Sequence, residues 1–425
     1  METAARRCAL AVAARAVAHR INADHTDHAG PTVPCRCGNT AHYAGRREKT
    51  ILTAMGEMRL ARAYYHCDAC RSGFCPRDRV LGVDGASLSP AVTRMVGTVA
   101  AMVSFAEGSD LLGDLAGLPV NAKQVERTAE ALGIETSEDE RQQVVSAEDA
   151  EIAPTMYLGM DGTGVPMRKA EVEGRPGKQA DGSSKTREVK LCTVWSAEGC
   201  DEDGVPVRDA GSVSYSAAIE RAAMRDTDAT CAAFAQRVER EARRRGFDRA
   251  PRQVVLGDGA PWIWNIAGEY FPDAIQIVDR FHAKAHLSGV AKGLYGATSD
   301  LGDAWATARH DELDAGRLHK IVAALAGHYR SCTDASKRDA VRKCIGYIWG
   351  NRRRMRYPDF RARGLCTSTA VVEAGCKVAI GTRLKRAGMH WTVRGANAII
   401  ALRCSKLSGR FEDFWERRAQ RAVAS

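Results

Sequence analysis

The chain of 425 residues is too long for one ordinary domain, and its composition of 45% hydrophobic and 27% charged residues excludes predominant disorder. The net charge of +10 is uneven, because the residues from Arg342 onward contain 19 Lys and Arg but five Asp and Glu, which leaves −4 for the preceding 341 residues. Such an excess is typical of a surface that faces a polyanion such as nucleic acid, although a solvated basic face has the same composition.

The first 30 residues are predicted to form an amphipathic amino-terminal helix. Their apolar run is similar to that of a signal peptide, but Arg15 interrupts it and no cleavage signal follows. A membrane span is not expected either, because Thr and Ser interrupt the longest apolar stretch, near Met95–Ala106, before it reaches the ~18–20 residues required. Without an export signal, the 14 Cys are expected to be reduced thiols of a cytoplasmic protein.

Residues 31–84 are predicted to form a zinc ribbon. Two close cysteine pairs, C-x-C and C-x-x-C, can complete a tetrahedral Zn²⁺ site, and the alternating segment Glu48–Tyr65 between them predicts a β-hairpin. Cys75 and His42 are further candidate ligands, and a set of unrelated buried thiols is the alternative. The four predicted zinc ligands are Cys35, Cys37, Cys67 and Cys70.

Residues 85–150 are predicted to be a helix-turn-helix-like DNA-binding domain followed by an acidic linker. Ser89–Ala106 has a helical pattern, and in Ser109–Gly133 a Gly-Leu-Pro sequence separates two more, the second of which Asn121 can cap. Helix, glycine-containing turn and helix are the signature of a helix-turn-helix, although any helical hairpin shares it. The polar, acidic segment Thr136–Ile152 is interpreted as the linker.

Residues 151–282 are predicted to be the first part of an α/β core, in which three short apolar strands end in carboxylates. The three residues are Asp161, Asp258 and Asp279. A single Asp-Gly after a strand is usually a turn, but α/β sheets bind ligands at the carboxyl ends of their strands, so three such residues indicate a site. A further strand, Glu188–Ser196, and a long helix, Ala217–Arg245, are predicted between the first two strands.

A fourth carboxylate, Glu373, lies in a segment with a helical pattern and is the only acidic residue from Arg361 to Gly409. It either neutralises its basic neighbours or binds a metal ion. Because 115 residues separate Asp258 from Glu373, residues 283–360 are predicted to be an all-helical insertion. Residues 361–425 then complete the core and supply a basic carboxyl-terminal region.

Five sequence blocks resemble those of bacterial insertion-sequence transposases of the ISKra type, over the range from about Cys35 to Arg418. The blocks are MDGTGVPMR, GRPGKQADGSSKTREVKL, VVLGDGAPWIWN, QIVDRFHAKAHL and the region from TSTAVVEAG to GMHWTVRGANAIIALR. Each is weak alone, but their combination in this order is specific. The resemblance implies a DDE-class transposase with a ribonuclease-H-like core, associated with the bacterial nucleoid. By this similarity, Asp161, Asp258 and Glu373 match the catalytic triad, and Asp279 and His282 match a supporting D-x-x-H element.

An enzyme of this class is expected to use two Mg²⁺ or Mn²⁺ ions, held ~3.5–4 Å apart by the triad, to cut DNA with water and then join the freed 3′ end to a target. Its partners are the inverted repeats of the element and the target DNA, and the pairing of two ends implies at least a dimer. Trp262 and Trp264 follow a strand and are expected in the core. The residues predicted to contact DNA are Arg352, Arg353, Arg354, Arg356, Arg383, Lys385, Arg386 and Trp391.

Two other functions remain open from the sequence. A non-enzymatic DNA-binding regulator would use the ribbon and the helix-turn-helix, but it leaves the order of the four carboxylates unexplained. A ribonuclease-H-like nuclease, such as a junction resolvase, would hydrolyse DNA without strand transfer.

Overall fold

The computed structural model describes residues 1–143, 152–202, 204–221 and 232–424. The chain divides into two compact units, Met1–Glu140 with Ala398–Ser425, and Arg141–Asn397. Helices and a mixed sheet give the predicted α/β class. Within the described ranges, no helix is long and apolar enough to cross a membrane.

The amino-terminal unit begins with a helix and a small sheet. Its elements up to residue 142 are α1 (Glu2–Ala23), β1 (Thr32–Pro34), β2 (Thr40–Thr53), β3 (Gly56–Cys67), β4 (Ser72–Phe74), α2 (Pro76–Val80), α3 (Pro90–Met102), α4 (Phe105–Leu111) and α5 (Ala122–Gln142). Strands β1 to β4 are antiparallel neighbours in chain order, and β2 with β3 forms the predicted hairpin. Helix α1 is present, but it is not amphipathic as predicted, because only Ala14 is buried while Val12 and Val17 are exposed.

The helix-turn-helix-like segment differs from its prediction at both ends. Helix α4 begins at Phe105, earlier than predicted, because Ser104 and Glu107 form a capping box. Helix α5 begins as predicted, since Asn121 Oδ1 accepts a hydrogen bond of 2.9 Å from Gln124 N. It then continues to Gln142, so the linker prediction is wrong for residues 136–142. Most of the remaining predicted linker, residues 144–151, lies outside the described residues.

A five-stranded mixed sheet forms the centre of the second unit. Its elements are β5 (Thr155–Pro166), β6 (Thr186–Ser196), β7 (Gly199–Cys200), β8 (Pro206–Val207), β9 (Ser214–Ala218), α6 (Ala233–Arg244), β10 (Arg252–Gly257), α7 (Pro261–Tyr270) and β11 (Ile275–Val278). The sheet order is β11-β10-β5-β6-β9, with β11, β10 and β5 parallel and the other two pairings antiparallel.

The long helix predicted over Ala217–Arg245 is wrong at its start. Ala217 and Ala218 are the last residues of β9 and pair with Leu191 and Lys190 of β6, so sheet pairing overrides their helical propensity. The helix itself begins at Ala233. Residues 222–231 of the predicted helix lie outside the described residues.

Helices follow the sheet to the end of the chain. They are α8 (Arg280–Tyr295), α9 (Asp300–Asp314), α10 (Leu318–Ser331), α11 (Ala335–Gly350), α12 (Tyr357–Ala362), α13 (Ala370–Gly375), α14 (Thr382–Leu384), α15 (Val393–Leu407) and α16 (Phe411–Ala424). The helices expected in residues 283–360 are thus present. Their buried Leu287, Leu313 and Ile348 belong to the same hydrophobic cluster as Leu256 of β10, so they extend the core of the unit.

The carboxyl-terminal residues differ from their predicted place, because residues from Ala398 onward group with the amino-terminal unit rather than completing the core. Ion pairs with acidic residues of α5 contribute to this arrangement. Arg417 and Arg421 each lie 2.8 Å from the Asp139 carboxylate. The acidic segment that resembles a linker in the sequence therefore neutralises part of the basic terminus. The other two pairs are Arg410 with Glu140 and Arg418 with Glu135.

Candidate functional site

Three aspartates lie level with one another at one edge of the mixed sheet. Asp161 and Asp258 each lie two residues beyond the last residue pair of the parallel strands β5 and β10. Asp258 and Asp279 each lie one residue beyond the last pair of β10 and β11. Because neighbouring strands are ~4.8 Å apart, the structure places these predicted residues side by side. Asp258 and Asp279 follow the last residues of β10 and β11, but the prediction that the first strand ends at Asp161 is wrong, because β5 continues to Pro166 in its pairing with β6.

The environment of Asp161 shows that the carboxylates interact. Its Oδ1 accepts a hydrogen bond of 2.7 Å from Gly162 N, and the Cys376 side chain also hydrogen-bonds it. Burial raises the pKa of Asp161, and the negative charges of Asp258 and Glu373 raise it further. Three carboxylates that repel one another favour a proton or a divalent cation between them.

Close packing of α13 on the sheet brings Glu373 to this edge. A Cβ atom added at Gly159 of β5 would lie 3.0 Å from Val372 Cβ and 2.9 Å from the Trp195 ring. A Cβ atom added at Gly375 would lie 2.9 Å from Leu191 Cδ2 of β6. Because glycine has no side chain, both positions leave room for α13 to pack closely against the sheet.

Asp279 is tied to Glu373 through Thr369. Asp279 is only 1% exposed, and its Oδ1 accepts a hydrogen bond of 2.5 Å from His282 N at the start of α8. Its Oδ2 accepts hydrogen bonds from Thr369 N and, at 2.8 Å, from Thr369 Oγ1, which also lies 3.0 Å from Glu373 Oε1. Ligand atoms of Asp279, His282 and Glu373 lie within 4.8 Å of one another, an arrangement that can hold a metal ion, whereas among the described residues those of Asp161, Asp258 and Glu373 do not all come this close.

Sequence reasoning did not identify several residues around these carboxylates. The His286 ring lies 4.0 Å from that of Tyr347, whose hydroxyl donates a hydrogen bond of 2.7 Å to Asp258 O. Partial burial and the His282 charge lower the pKa of His286, while Asp258 opposes this effect. The four-residue spacing of His282 and His286, which places them on one face of α8, was a usable signal. The sequence contains no such signal for Thr369 or Tyr347, because the residues to which they donate hydrogen bonds, Asp279 and Asp258, lie about 90 residues away in the chain.

The four predicted zinc ligands come together in the amino-terminal unit. Their sulfur atoms lie within 4.8 Å of one another, and the Sγ atoms of Cys35 and Cys70, and of Cys37 and Cys67, are 3.6 Å apart. A tetrahedral site with Zn–S bonds of ~2.3 Å has sulfur atoms ~3.8 Å apart, so the donor set fits Zn²⁺. A hydrogen bond from the Asn39 side chain lowers the pKa of Cys37 to about 6, which favours the thiolate. The spare candidates Cys75 and His42 are not part of this group.

The model of an uncharacterised protein family, UPF0236, matches residues 40–419. The chain belongs to this family. The match to UPF0236 contains all four carboxylates but begins after Cys35 and Cys37. A comparison with curated proteins gives no match. Among solved structures, the chain is similar to the "Drosophila P element transposase strand transfer complex", with 9% sequence identity and a TM-score of 0.25, over 76% of this chain and 80% of that chain.

Two of the residues predicted to contact DNA in this UPF0236 member are buried. Arg383 has no exposed surface and Trp391 is 6% exposed. Trp391 Nε1 donates a hydrogen bond of 2.9 Å to Leu384 O, and the Arg383 guanidinium lies 5.3 Å from the Trp391 ring centre. The prediction that these side chains contact DNA is therefore wrong for this conformation, because both pack inside the unit.

The remaining predicted DNA-contact residues lie in different environments. Arg354 is partly buried, since it stacks 4.5 Å from the Trp264 ring centre and donates a hydrogen bond of 2.7 Å to Gln276 Oε1. Arg356 forms an ion pair of 2.6 Å with Asp359. Lys385 Nζ donates a hydrogen bond to Thr163 Oγ1 of β5. The exposed residues of the set are Arg352, Arg353, Arg356, Lys385 and Arg386.

Proposed function

We propose that the protein is a DNA transposase that binds the ends of an insertion sequence, hydrolyses phosphodiester bonds and joins the 3′ ends to target DNA. The observation that carries this proposal is the position of Asp161 and Asp258 at one level on adjacent parallel strands, with Glu373 close enough to raise the pKa of Asp161. The mixed sheet supports the ribonuclease-H-like core implied by the resemblance to ISKra-type transposases.

The carboxylates fit the oxygen ligands that Mg²⁺ and Mn²⁺ prefer. Asp258 Oδ1 accepts a hydrogen bond of 2.8 Å from Ala260 N, which orients the side chain, while Oδ2 makes no hydrogen bond with the described part of the chain. Asp161 is oriented in the same way by Gly162 N. Two bound ions would stabilise the attacking and leaving oxygens of the scissile phosphate. Asp279, whose oxygens already accept three hydrogen bonds, fits a supporting role.

The amino-terminal unit supplies features for the recognition of the element ends. The four thiols would hold Zn²⁺ and join the two turns of a zinc ribbon. Helix α5, the second helix of the helix-turn-helix-like segment, exposes Lys123 and Arg127 near its start, where such helices contact DNA. Synapsis of two ends would require at least a homodimer.

Incubation of the full chain with labelled element ends, Mg²⁺ and a target plasmid tests this function. We expect cut ends and products in which a 3′ end is joined to the plasmid. Cutting without joining would support a nuclease such as a junction resolvase instead. Binding of the ends without any cutting in Mg²⁺ or Mn²⁺ would support a non-enzymatic regulator.

A further inference from the structure

A groove in the second unit is formed in part by β6, the strand that pairs with the Asp161-bearing strand β5. Its volume is about 700 Å³, and residues of β6, of the loop before β6 and of α7 line it. Lys190 of β6 pairs with Gly162, so its side chain lies on the sheet face opposite to that of Asp161, which pairs with Leu191. Trp262, at the start of α7, is four residues beyond Asp258. The groove therefore opens on the other face of the sheet from the Asp161 side chain, with Trp262 close in sequence to Asp258.

Two arginines of this groove form no ion pair in the part of the chain that the structure describes. Arg175 is exposed and Arg187 is partly buried, and burial together with the Arg175 charge lowers the pKa of Arg187, while the Glu171 carboxylate opposes this effect. The carboxylates of the groove, Glu188 and Glu220, already pair with cations at 2.8 and 2.7 Å. Arg175 and Arg187 therefore repel each other in the groove, Glu171 offsets part of this repulsion, and a phosphate group would relieve it further.

Glycines fix the loop that carries Arg175. Gly177 N donates a hydrogen bond of 2.8 Å to Gly182 O, and Gly182 has a φ of +76°, which favours glycine. A Cβ atom added at Gly177 would lie 2.4 Å from Ser183 O and from Ser184 Cα. The Gly- and Lys-rich stretch GRPGKQADGSSK is therefore a tight turn whose backbone segments touch, and it holds Arg175 at the groove.

Trp262 provides an aromatic surface in the same groove. It is partly buried and packs edge-on against Phe234 with ring centres 5.7 Å apart, whereas Trp264, two residues on, is buried in the core. Lys190 Nζ lies 5.8 Å from the centre of the Trp262 ring. An aromatic ring among cations is the combination with which proteins bind unpaired bases and their phosphates.

We propose that this groove binds one unpaired strand of a polynucleotide, with Arg175 and Arg187 on its phosphates and a base against Trp262. A duplex keeps its bases stacked and paired, so only an unpaired strand can offer a base to the ring. The identification of this strand as DNA at the cutting site rests on the proposed function. The affinity of the groove for a single strand does not depend on it.

Fluorescence anisotropy of a labelled oligothymidylate, titrated with the full chain without added Mg²⁺ or Mn²⁺ over a salt series, tests this inference. The Arg175→Ala/Arg187→Ala variant should bind about tenfold more weakly, with a salt slope lower by ~0.7 for each lost contact. The Trp262→Leu variant should also lose about tenfold in affinity, with an unchanged salt slope, and Trp262→Phe should retain the affinity of the wild type. The matched control Arg208→Ala/Lys320→Ala removes two exposed cations outside the groove and should bind like the wild type.

Groove variants that bind the single strand as well as the control does would overturn the inference. Weaker binding of a duplex of equal length, with single-strand binding unchanged, would overturn it too, because the groove would then hold a duplex backbone. The omission of Mg²⁺ and Mn²⁺ separates this result from catalysis. A wild type that cuts element ends while the groove variants bind normally contradicts only this inference. A wild type that binds the strand through the groove but never cuts contradicts only the proposed function.

Discussion

At the residue scale, Asp161 links the electrostatics of the site to stability. Its pKa is raised by burial, and then by Asp258 and Glu373, above the ordinary value of 3.8, so the folded chain holds this proton more tightly than the unfolded chain. Its contribution to stability is full below pH 3.8 and is lost as the pH rises through the folded-state value. Without added Mg²⁺ or Mn²⁺, Asp161→Asn should therefore raise the thermal midpoint at pH 7, and the gain should shrink toward pH 4.

Thermal unfolding of Asp273→Asn, which removes an exposed carboxylate, serves as the control. Added Mn²⁺ should stabilise the wild type at pH 7 and have less effect on Asp161→Asn. A wild type that is more stable than Asp161→Asn at pH 7 without added Mg²⁺ or Mn²⁺ would show that the carboxylates do not repel one another.

Thr369 is predicted to position Glu373 for metal binding. Thr369→Val keeps the shape of the side chain and the backbone N–H that donates a hydrogen bond to Asp279. It removes the hydroxyl that lies 3.0 Å from Glu373 Oε1. We expect cleavage to fall by ~10–100-fold, with a higher Mn²⁺ requirement, because such supporting contacts orient metal ligands. Thr369→Ser should retain activity, and Ser368→Ala is the neighbouring control. An unchanged Mn²⁺ requirement in Thr369→Val would contradict this role.

At the element scale, we predict that the hairpin β2–β3 depends on a zinc ion held by the cysteine cluster at its ends. Metal binding by four thiolates couples to local folding. We predict about one Zn per chain, and Cys67→Ser or Cys70→Ser should lose both the metal and the affinity for element ends. Metal analysis and a binding assay check this, with the exposed Cys8→Ser as control. A zinc-free preparation that binds the ends normally would refute it.

The short 3₁₀ turn Arg352–Arg354 carries part of the exposed surface that is predicted to contact DNA. Only Arg352 and Arg353 are exposed there, because Arg354 stacks on Trp264. Arg352→Ala/Arg353→Ala should lower the slope of log K against log salt by about one unit per lost phosphate contact. The control Arg342→Ala/Lys343→Ala removes cations that already pair with Asp339. If the two variants have the same slope of log K against log salt, Arg352 and Arg353 belong to a solvated face that does not contact phosphates.

Individual elements show why the sequence predicts some of the fold and not the rest. Asp258 and Asp279 could be placed at one edge because the end of an apolar strand is a local signal. The continuation of β5 beyond Asp161 could not be predicted in this way, because it depends on pairing with β6. The strand at Ala217 and Ala218 was missed because its pairing with β6 is non-local. The continuation of α5 through Asp139 was missed because its acidic side chains bind arginines far along the chain. A local sequence pattern gives no information about which distant residues an element will pair with.

At the scale of the whole molecule, the first compact unit is built from two segments that are far apart in the chain. Residues beyond Ala398 return to the amino-terminal unit, so part of the positive charge that the sequence assigns to DNA is neutralised by acidic residues. The carboxylates Asp258 and Glu373 are 115 residues apart in sequence, yet both act on the pKa of Asp161. Chain spacing alone predicted an insertion between them, but not that its helices share the core of the sheet.

The central claim is that Asp161, Asp258 and Glu373 act as one metal-dependent site, and a cleavage assay of Asp258→Asn on labelled element ends tests it most directly. Asn keeps the shape of Asp258 and its position beyond β10, but it removes the charge. We predict no cutting or joining in Mg²⁺ or Mn²⁺, with end binding retained. Asp161→Asn and Glu373→Gln should each be as inactive as Asp258→Asn, and combining these substitutions should cause no further loss. Asp279→Asn should lose less activity. Cleavage retained by Asp258→Asn would contradict the assignment, and Asp279 at the end of the neighbouring strand would then be the replacement to test.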